Sequence, residues 1–151
     1  MGLRSEEARR AMLEDFRRGD RDELWVRGKG RRARLLPVHS ELSRWVREFR
    51  PALGTAAESL FPNPNTGVVW SDSSVLRCYN AACERVGKHW KPNEALRHCF
   101  GTRAAERLMG DGFTMADAAR QIMLVMGHTS VATSNWYVQM AAGSLRGVLP
   151  E

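Results

Sequence analysis

The sequence predicts an α+β fold that is mainly α, with a helical core and a small antiparallel β-sheet on one edge. Three observations support this class. Apolar residues recur at helical spacing in several segments, and two short apolar runs flank a turn that contains two glycines. Apolar residues also make up 43% of the 151 residues. That share and length are typical of one folded domain rather than a disordered chain.

The first half of the chain is expected to place one β-hairpin between two helices. Glycines in the hairpin turn accept positive φ, and Pro51 would stop the helix that precedes it. Ser5 is a candidate cap for the first helix, and Gly19 would end it. The predicted elements are a helix over residues 5–18, strands at 24–26 and 34–38 joined by Gly28-Lys29-Gly30, and a helix from Ser40 to Pro51.

The second half of the chain is expected to be helical after a loop. Residues 53–66 are rich in Pro, Asn and Gly, which predicts that loop. Ser71 or Asp72 would cap the next helix, and Gly87 would end it. The remaining predicted helices cover about residues 94–109, 115–126 and 131–140, with Gly127 ending the second of them.

The charge balance favours an anionic partner. Lys and Arg total 23 against 17 acidic residues, which gives a net charge of +6 and a pI of about 9.9. Nucleic acid is the commonest partner of such a protein, although a basic protein without this role has the same composition. No apolar run approaches the roughly 18 residues of a membrane span, and the first residues carry no apolar signal region. We therefore expect a cytoplasmic protein without a membrane partner.

The three cysteines, Cys78, Cys83 and Cys99, predict no metal site. They form no CxxC pair and have no clustered histidine, so zinc is not expected. An odd number of cysteines without a signal region indicates reduced thiols. Cys78 and Cys99 are expected to pack as small apolar side chains.

Four short segments combine residues of phosphoryl-transfer chemistry in one order along the chain. Each segment alone is a weak signal, but Tyr137 follows His128 by nine residues and completes the order. The segments are Gly2-Leu3-Arg4-Ser5-Glu6-Glu7, Gly28-Lys29-Gly30 before Arg34-Leu35-Leu36-Pro37, Glu94-Ala95-Leu96-Arg97-His98, and Met126-Gly127-His128 with Tyr137. Together they resemble the tyrosine recombinase family, also called phage integrases, over nearly the whole chain.

The resemblance implies that residues 1–151 form a recombinase catalytic domain, with the N-terminal DNA-clamping domain of full-length members absent. It implies DNA strand cleavage and rejoining, in site-specific recombination or integration, through a 3′-phosphotyrosyl intermediate. The phosphotyrosyl bond conserves the phosphodiester energy, so no cofactor, neither metal nor ATP, is expected. The expected partner is duplex DNA, on which the full-length protein would assemble as a tetramer. The resemblance also implies a bacterial, phage or mobile-element origin.

The resemblance implies that three side chains, each cationic or a hydrogen-bond donor, bind the scissile phosphate. Arg4 and Arg97 correspond to the two arginines of the family, whose planar donor fork matches phosphate oxygens. His128 corresponds to a histidine that donates a hydrogen bond to the same phosphate. Tyr137 corresponds to the nucleophile, and Tyr79, the other tyrosine, lacks the spacing from His128.

The hairpin turn carries the expected leaving-group acid. Lys29 corresponds to the lysine that protonates the leaving 5′ oxygen, and a mobile hairpin tip suits that task. Neighbouring arginines are predicted to bind DNA backbone phosphates, and Lys29 could belong to that solvated cluster instead. These predicted DNA-binding residues are Arg27, Arg31, Arg32 and Arg34.

Glu94 is the main departure from the family pattern. The family has a histidine three residues before the second arginine, where this chain has Glu94. A carboxylate there repels phosphate unless it is protonated or paired, but it could accept the proton of Tyr137. His89 and His98 are near in sequence, and neither is in register to replace the missing histidine. The alternative function is therefore a DNA-binding module that keeps the recombinase fold with impaired or lost catalysis. A helical protein–protein adaptor would follow only if the motif match were chance.

Overall fold

The computed structural model describes residues 1–28, 33–48, 50–53 and 58–146. It divides into two compact units, one of Met1 with Leu3–Trp90 and the other of Gly2 with Lys91–Glu151. The α-helices of the first unit are α1 (Ser5–Arg9), α2 (Ser40–Glu48) and α3 (Asp72–Arg85). Those of the second are α4 (Cys99–Gly110), α5 (Met115–Met126) and α6 (Val131–Arg146).

The first unit contains a three-stranded antiparallel sheet in the order β1-β2-β3. Its strands are β1 (Phe16–Arg17), β2 (Glu23–Arg27) and β3 (Ala33–Pro37). Leu24 pairs with Leu36, and both are buried together with Val26, whereas the residues between them are more exposed. This alternation is what a sheet with one buried face requires. The predicted hairpin strands are therefore confirmed, and with the helices they confirm the mainly α fold class with a small antiparallel sheet.

The predicted helix over residues 5–18 is wrong beyond its first turns. The chain leaves α1 after Arg9, forms a 3₁₀ turn over Leu13–Asp15, and then enters β1. Phe16 pairs with Leu24 across the sheet and is buried there. Its pairing with a strand satisfies backbone groups that the predicted helix would have satisfied locally. The apolar spacing in this segment therefore reflects which residues are buried, and it does not indicate a helix beyond Arg9.

The second unit is a three-helix core. Small side chains line the contact between helices, which lets their backbones approach closely, and Ile122, Met126 and Val138 fill the remaining space. Thr114 caps α5, since its Oγ1 accepts a hydrogen bond from the Asp117 N–H. The buried small residues are Ala105, Ala118, Ala119 and Ala141.

The predicted helix at residues 94–109 begins differently from the expectation. Residues Asn93–His98 form a π-helix that continues directly into α4. A π-helix is rare in proteins, occurs mostly as a single turn within an α-helix, and is frequent at functional sites. The helix at residues 131–140 also extends further than predicted, to Arg146.

The expectation that Cys78 and Cys99 pack as small apolar side chains is wrong for both. Cys83 is the buried thiol, whereas Cys78 and Cys99 are exposed. Among the described residues, no cluster of His, Cys, Asp and Glu could hold a metal ion. No helix in that part of the chain is both long and apolar enough to cross a membrane.

Candidate active site

Arg97 lies near the end of the π-helix and joins two distant parts of the second unit. The residue is only 8% exposed. Its Nη1 donates a hydrogen bond to the carbonyl of Gly2, and its Nη2 donates to the carbonyl of Met126 at 2.7 Å. Gly2 has a φ of +62°, a left-handed conformation that favours glycine. The guanidinium is thus fixed next to the segment that carries His128.

His128 follows the glycine that ends α5. Gly127 adopts the left-handed conformation, with φ 63° and ψ 44°, and the His128 N–H donates to the Met123 carbonyl. His128 Nδ1 lies 2.8 Å from the hydroxyl of Ser134, which is fully buried. When the serine donates, the proton of the imidazole resides on Nε2. That tautomer can donate a hydrogen bond to a phosphate oxygen.

Tyr137 lies on α6 with only 3% of its surface exposed. Its Oη is 3.0 Å from Nδ1 of His98, the residue directly after Arg97. Its ring is parallel to that of His128, with 5.9 Å between ring centroids and 8° between planes. Trp136 packs edge-on against it at 5.0 Å. The second unit therefore places Tyr137 beside His128, and holds Arg97 at the carbonyl two residues before that histidine.

Arg4 lies in the first unit and is held by the carboxylate of Glu7. The Arg4 backbone N–H donates to Glu7 Oε2 at 2.8 Å, and Arg4 Nη1 donates to Oε1 at 3.0 Å. Arg34 of β3 donates to both oxygens of the same carboxylate, at 3.0 and 2.9 Å. This two-point pair is the strong geometry for arginine and carboxylate. One buried acid therefore fixes a proposed phosphate ligand, Arg4, and one of the predicted DNA-binding arginines, Arg34.

The environment of Glu7 favours its charged form. Burial raises the pKa of the carboxyl, but several effects oppose it. Hydrogen bonds from Arg34 and from the Arg4 backbone and side chain, with the charge of Arg34, outweigh the burial and hold the pKa below its ordinary value of 4.5. Glu7 is thus a stable anion at neutral pH between two arginines.

Arg27 is the other predicted DNA-binding residue that the structure describes. Its side chain is 62% exposed and donates to Glu14 at 2.8 Å and to Asp15 at 2.9 Å. Lys29, Arg31 and Arg32 lie outside the described residues. The backbone of Glu94 lies in the π-helix, but its side chain is outside the described part of the structure.

Three residues of this cluster have contacts that the sequence did not indicate. His98 bonds Tyr137, Ser134 bonds His128, and Gly101 leaves space for the ring of Tyr137. The His98 contact joins residues 39 positions apart, so no local spacing reveals it. Ser134 lies six residues after His128, and its contact depends on where α6 begins.

Comparisons with known proteins agree on one family. Residues 1–143 match the phage integrase family. The chain is 35% identical over 132 residues to the tyrosine recombinase XerD of Corynebacterium glutamicum, which covers 83% of this chain and 40% of that protein. It is 31% identical over 139 residues to the tyrosine recombinase XerC of Myxococcus xanthus. That match covers 82% of this chain and 41% of the relative. The chain thus spans about 40% of the length of these relatives.

Solved structures show the same fold. The crystal structure of the XerA recombinase matches with a TM-score of 0.72 and 25% identity, over 97% of this chain and 52% of the other. A post-cleavage complex of the XerH site-specific recombinase with palindromic difH substrate also has a TM-score of 0.72, at 21% identity over 97% and 41% of the two chains. With the family match over residues 1–143, these similarities show that the chain belongs to the phage integrase family of tyrosine recombinases.

Proposed function

We propose that this chain cleaves and rejoins duplex DNA in site-specific recombination or integration. The observation that carries the proposal is the cluster of Arg97, His128 and Tyr137 in the second unit. Arg97 donates to the carbonyl two residues before His128, and the His128 ring faces the phenol ring. Arg97 and His128 can donate hydrogen bonds to a phosphate, and the phenol of Tyr137 can attack it. Phosphotyrosyl transfer uses both kinds of group.

The proposed reaction conserves the number of phosphodiester bonds. Tyr137 Oη attacks the scissile phosphorus, a 3′-phosphotyrosyl bond forms, and the bond to the 5′ oxygen breaks. Arg4, Arg97 and His128 stabilise the charge of the pentacoordinate transition state. Lys29 gives its proton to the leaving 5′ oxygen. Attack by a 5′ hydroxyl of another strand reverses these steps and rejoins the DNA.

The proposed DNA surface includes the hairpin arginines Arg27, Arg31, Arg32 and Arg34. Support comes from the net charge of +6, and from the XerH complexes, in which that recombinase is bound to its difH substrate. We also propose that the whole protein works as a tetramer on DNA. Cleavage by separate protomers would account for the exchange of strands between two duplexes.

The second candidate function is a DNA-binding module with impaired catalysis. Two observations favour it, the burial of Tyr137 and the acidic residue Glu94 at a position where the family has histidine. A buried nucleophile reaches a phosphate only after a local rearrangement. The two candidates therefore differ in whether DNA binding brings Tyr137 to the phosphate.

A covalent-trapping experiment separates the two functions. The chain is incubated with a pool of nicked suicide duplexes of randomised sequence, and protein–DNA adducts are isolated after denaturation. We expect an adduct that Tyr137→Phe abolishes, since the ring remains and the nucleophilic oxygen is removed. Tyr79→Phe is the matched control and should keep the adduct. The second candidate function, a DNA-binding module, is supported if the chain binds DNA but forms no adduct, even when the clamping domain of a relative is added.

A further inference from the structure

We infer that His98 is a catalytic residue that accepts the proton of Tyr137 during strand cleavage. The inference rests on the proposed function and adds a residue to it. Its basis is the hydrogen bond of 3.0 Å between His98 Nδ1 and Tyr137 Oη. The phenol of a tyrosine ordinarily has a pKa of about 10, so at neutral pH it must lose its proton as it attacks.

The surroundings of His98 hold the imidazole against the nucleophile. The ring of Trp136 contacts it edge-on, with 5.3 Å between centroids, and the Tyr137 ring lies at 5.8 Å. His98 also follows Arg97 directly, and the Arg97 guanidinium is fixed by two backbone carbonyls. The proposed base and the proposed phosphate ligand are therefore consecutive residues, and the second is held by two hydrogen bonds to the backbone.

The other histidine of the cluster is in a different position. His128 uses Nδ1 to contact Ser134, and its ring lies parallel to that of Tyr137. This geometry suits a donor to the phosphate and does not direct Nδ1 to the phenol. His98 and His128 thus divide two tasks, proton acceptance and phosphate binding.

A neutral base also avoids the electrostatic cost of Glu94 as acceptor. A carboxylate beside the scissile phosphate raises the energy of the negatively charged transition state, whereas a neutral imidazole does not. As the Tyr137 Oη–phosphorus bond forms, the phenol proton moves to His98 Nδ1 and the electron pair of the breaking bond goes to the 5′ oxygen. In the rejoining step His98 returns that proton to Tyr137.

Chemical rescue tests this assignment on the adduct-forming reaction. His98→Ala removes the base and leaves space, so the single-turnover cleavage rate should fall about a hundredfold. Added imidazole should restore the rate in a concentration-dependent manner. His98→Asn fills that space with a group that cannot take the proton, and imidazole should not rescue it. His89→Ala, at an exposed histidine, is the matched control and should be unaffected with or without imidazole.

A second substrate separates proton acceptance from leaving-group protonation. Replacing the bridging 5′ oxygen of the DNA by sulfur gives a leaving group that needs no acid. Lys29→Ala should cleave this DNA nearly as fast as wild type, whereas His98→Ala should remain slow. If the sulfur substrate rescues both variants equally, His98 protonates the leaving group instead of accepting the proton of Tyr137, and the inference is overturned.

The outcomes distinguish this inference from the proposed function. If the wild-type chain gives no Tyr137-dependent adduct, the proposed function fails. If it gives the adduct and His98→Ala cleaves at the wild-type rate, only the role of His98 fails. Faster cleavage by His98→Ala would mean that His98 restrains the nucleophile, which also overturns it. Should both variants fail to fold, a nitrogen NMR spectrum of the wild-type protein decides, because a proton on His98 Nδ1 contradicts an acceptor there.

Discussion

The ring of Tyr137 packs directly against the backbone of Gly101. A Cβ built on Gly101 would lie 2.5 Å from Cδ1 and 2.6 Å from Cε1 of that ring. Real carbon atoms do not approach so closely, so any larger residue at position 101 would displace the tyrosine or its helix. The position of the proposed nucleophile therefore depends on the absence of one side chain in α4.

We predict that Gly101→Ala destabilises the protein and disturbs cleavage. Overpacking of a core by one methyl group typically costs about 1–3 kcal/mol. The better helix propensity of alanine, worth about 1 kcal/mol, lowers the net cost to at most about 2 kcal/mol. Urea unfolding measures the first effect, and single-turnover adduct formation measures the second.

Gly110→Ala is the matched control in the same helix. A Cβ there meets nothing within 4 Å. This variant should be neutral or up to about 1 kcal/mol more stable. Equal stability changes in the two variants would contradict the packing of Tyr137 on Gly101.

The sequence predicts elements whose signals are local, and it misses contacts that join distant segments. The glycine after α5 and the serine before α3 mark helix ends, and both are confirmed. Phe16 belongs to a strand because β2 pairs with it, and that pairing is invisible in the spacing of its own segment. The same holds for His98, which meets Tyr137 only through the packing of α4 on α6.

Ser134→Ala is predicted to slow cleavage by loosening His128. Ser134 is fully buried, and its hydrogen bond with His128 Nδ1 holds the orientation of the imidazole ring. If the misoriented His128 stabilises the transition state by about 1.4 kcal/mol less, single-turnover cleavage slows about tenfold. Thr133→Ala, at the exposed neighbouring position, should cleave normally. An unchanged rate in Ser134→Ala would show that His128 does not need this partner.

The buried acid Glu7 should make stability depend on pH. Its folded-state pKa lies below the ordinary value of 4.5, so the charged form is the one that stabilises the fold. The contribution is complete above the ordinary value and is lost as the pH falls through the lower folded pKa. Glu7→Gln should therefore be less stable than wild type at pH 7, and the difference should shrink below about pH 4.5 in urea unfolding curves.

Removal of the partner tests the same relationship at neutral pH. Arg34→Gln removes the two-point partner of a carboxylate side chain that is only 4% exposed. Because Arg4 still pairs with Glu7, the cost should lie above about 1 kcal/mol but below the roughly 3–5 kcal/mol of an uncompensated buried charge. Arg10→Gln breaks the exposed pair with Glu6 in the same segment and should cost less than about 1 kcal/mol. If both variants lose the same stability, Glu7 is not held as the structure indicates.

DNA affinity should fall steeply with salt, and the hairpin arginines should contribute to the slope. Removing one arginine that binds a phosphate reduces the slope of log affinity against log salt by about 0.9. Joint replacement of Arg27, Arg31 and Arg32 by serine should therefore flatten it by up to about 2.7. Arg120→Ser removes the same kind of charge from the exposed surface of α5 and should leave the slope unchanged. A flatter slope in Arg120→Ser, with none in the hairpin variant, would move the DNA surface to the second unit.

Replacement of Glu94 should reveal whether this residue limits the rate. We propose, from the family resemblance, that position 94 lies beside the scissile phosphate, where a carboxylate repels the negative charge of the transition state. Glu94→His would remove that repulsion and speed single-turnover cleavage, about tenfold for each ~1.4 kcal/mol relieved. With His98 as the proton acceptor, Glu94→Gln should be faster than wild type as well, because it also removes the charge.

The opposite result has a definite meaning. If Glu94 is itself the acceptor, Glu94→Gln loses the base and cleavage slows, while Glu94→His keeps a base and retains activity. Glu106→Gln in α4 is the control for removing one acid from the same unit and should have no effect. A slow Glu94→Gln together with a normal His98→Ala would transfer the proton-accepting role from His98 to Glu94. A slow His98→Ala together with a fast Glu94→Gln would leave it with His98.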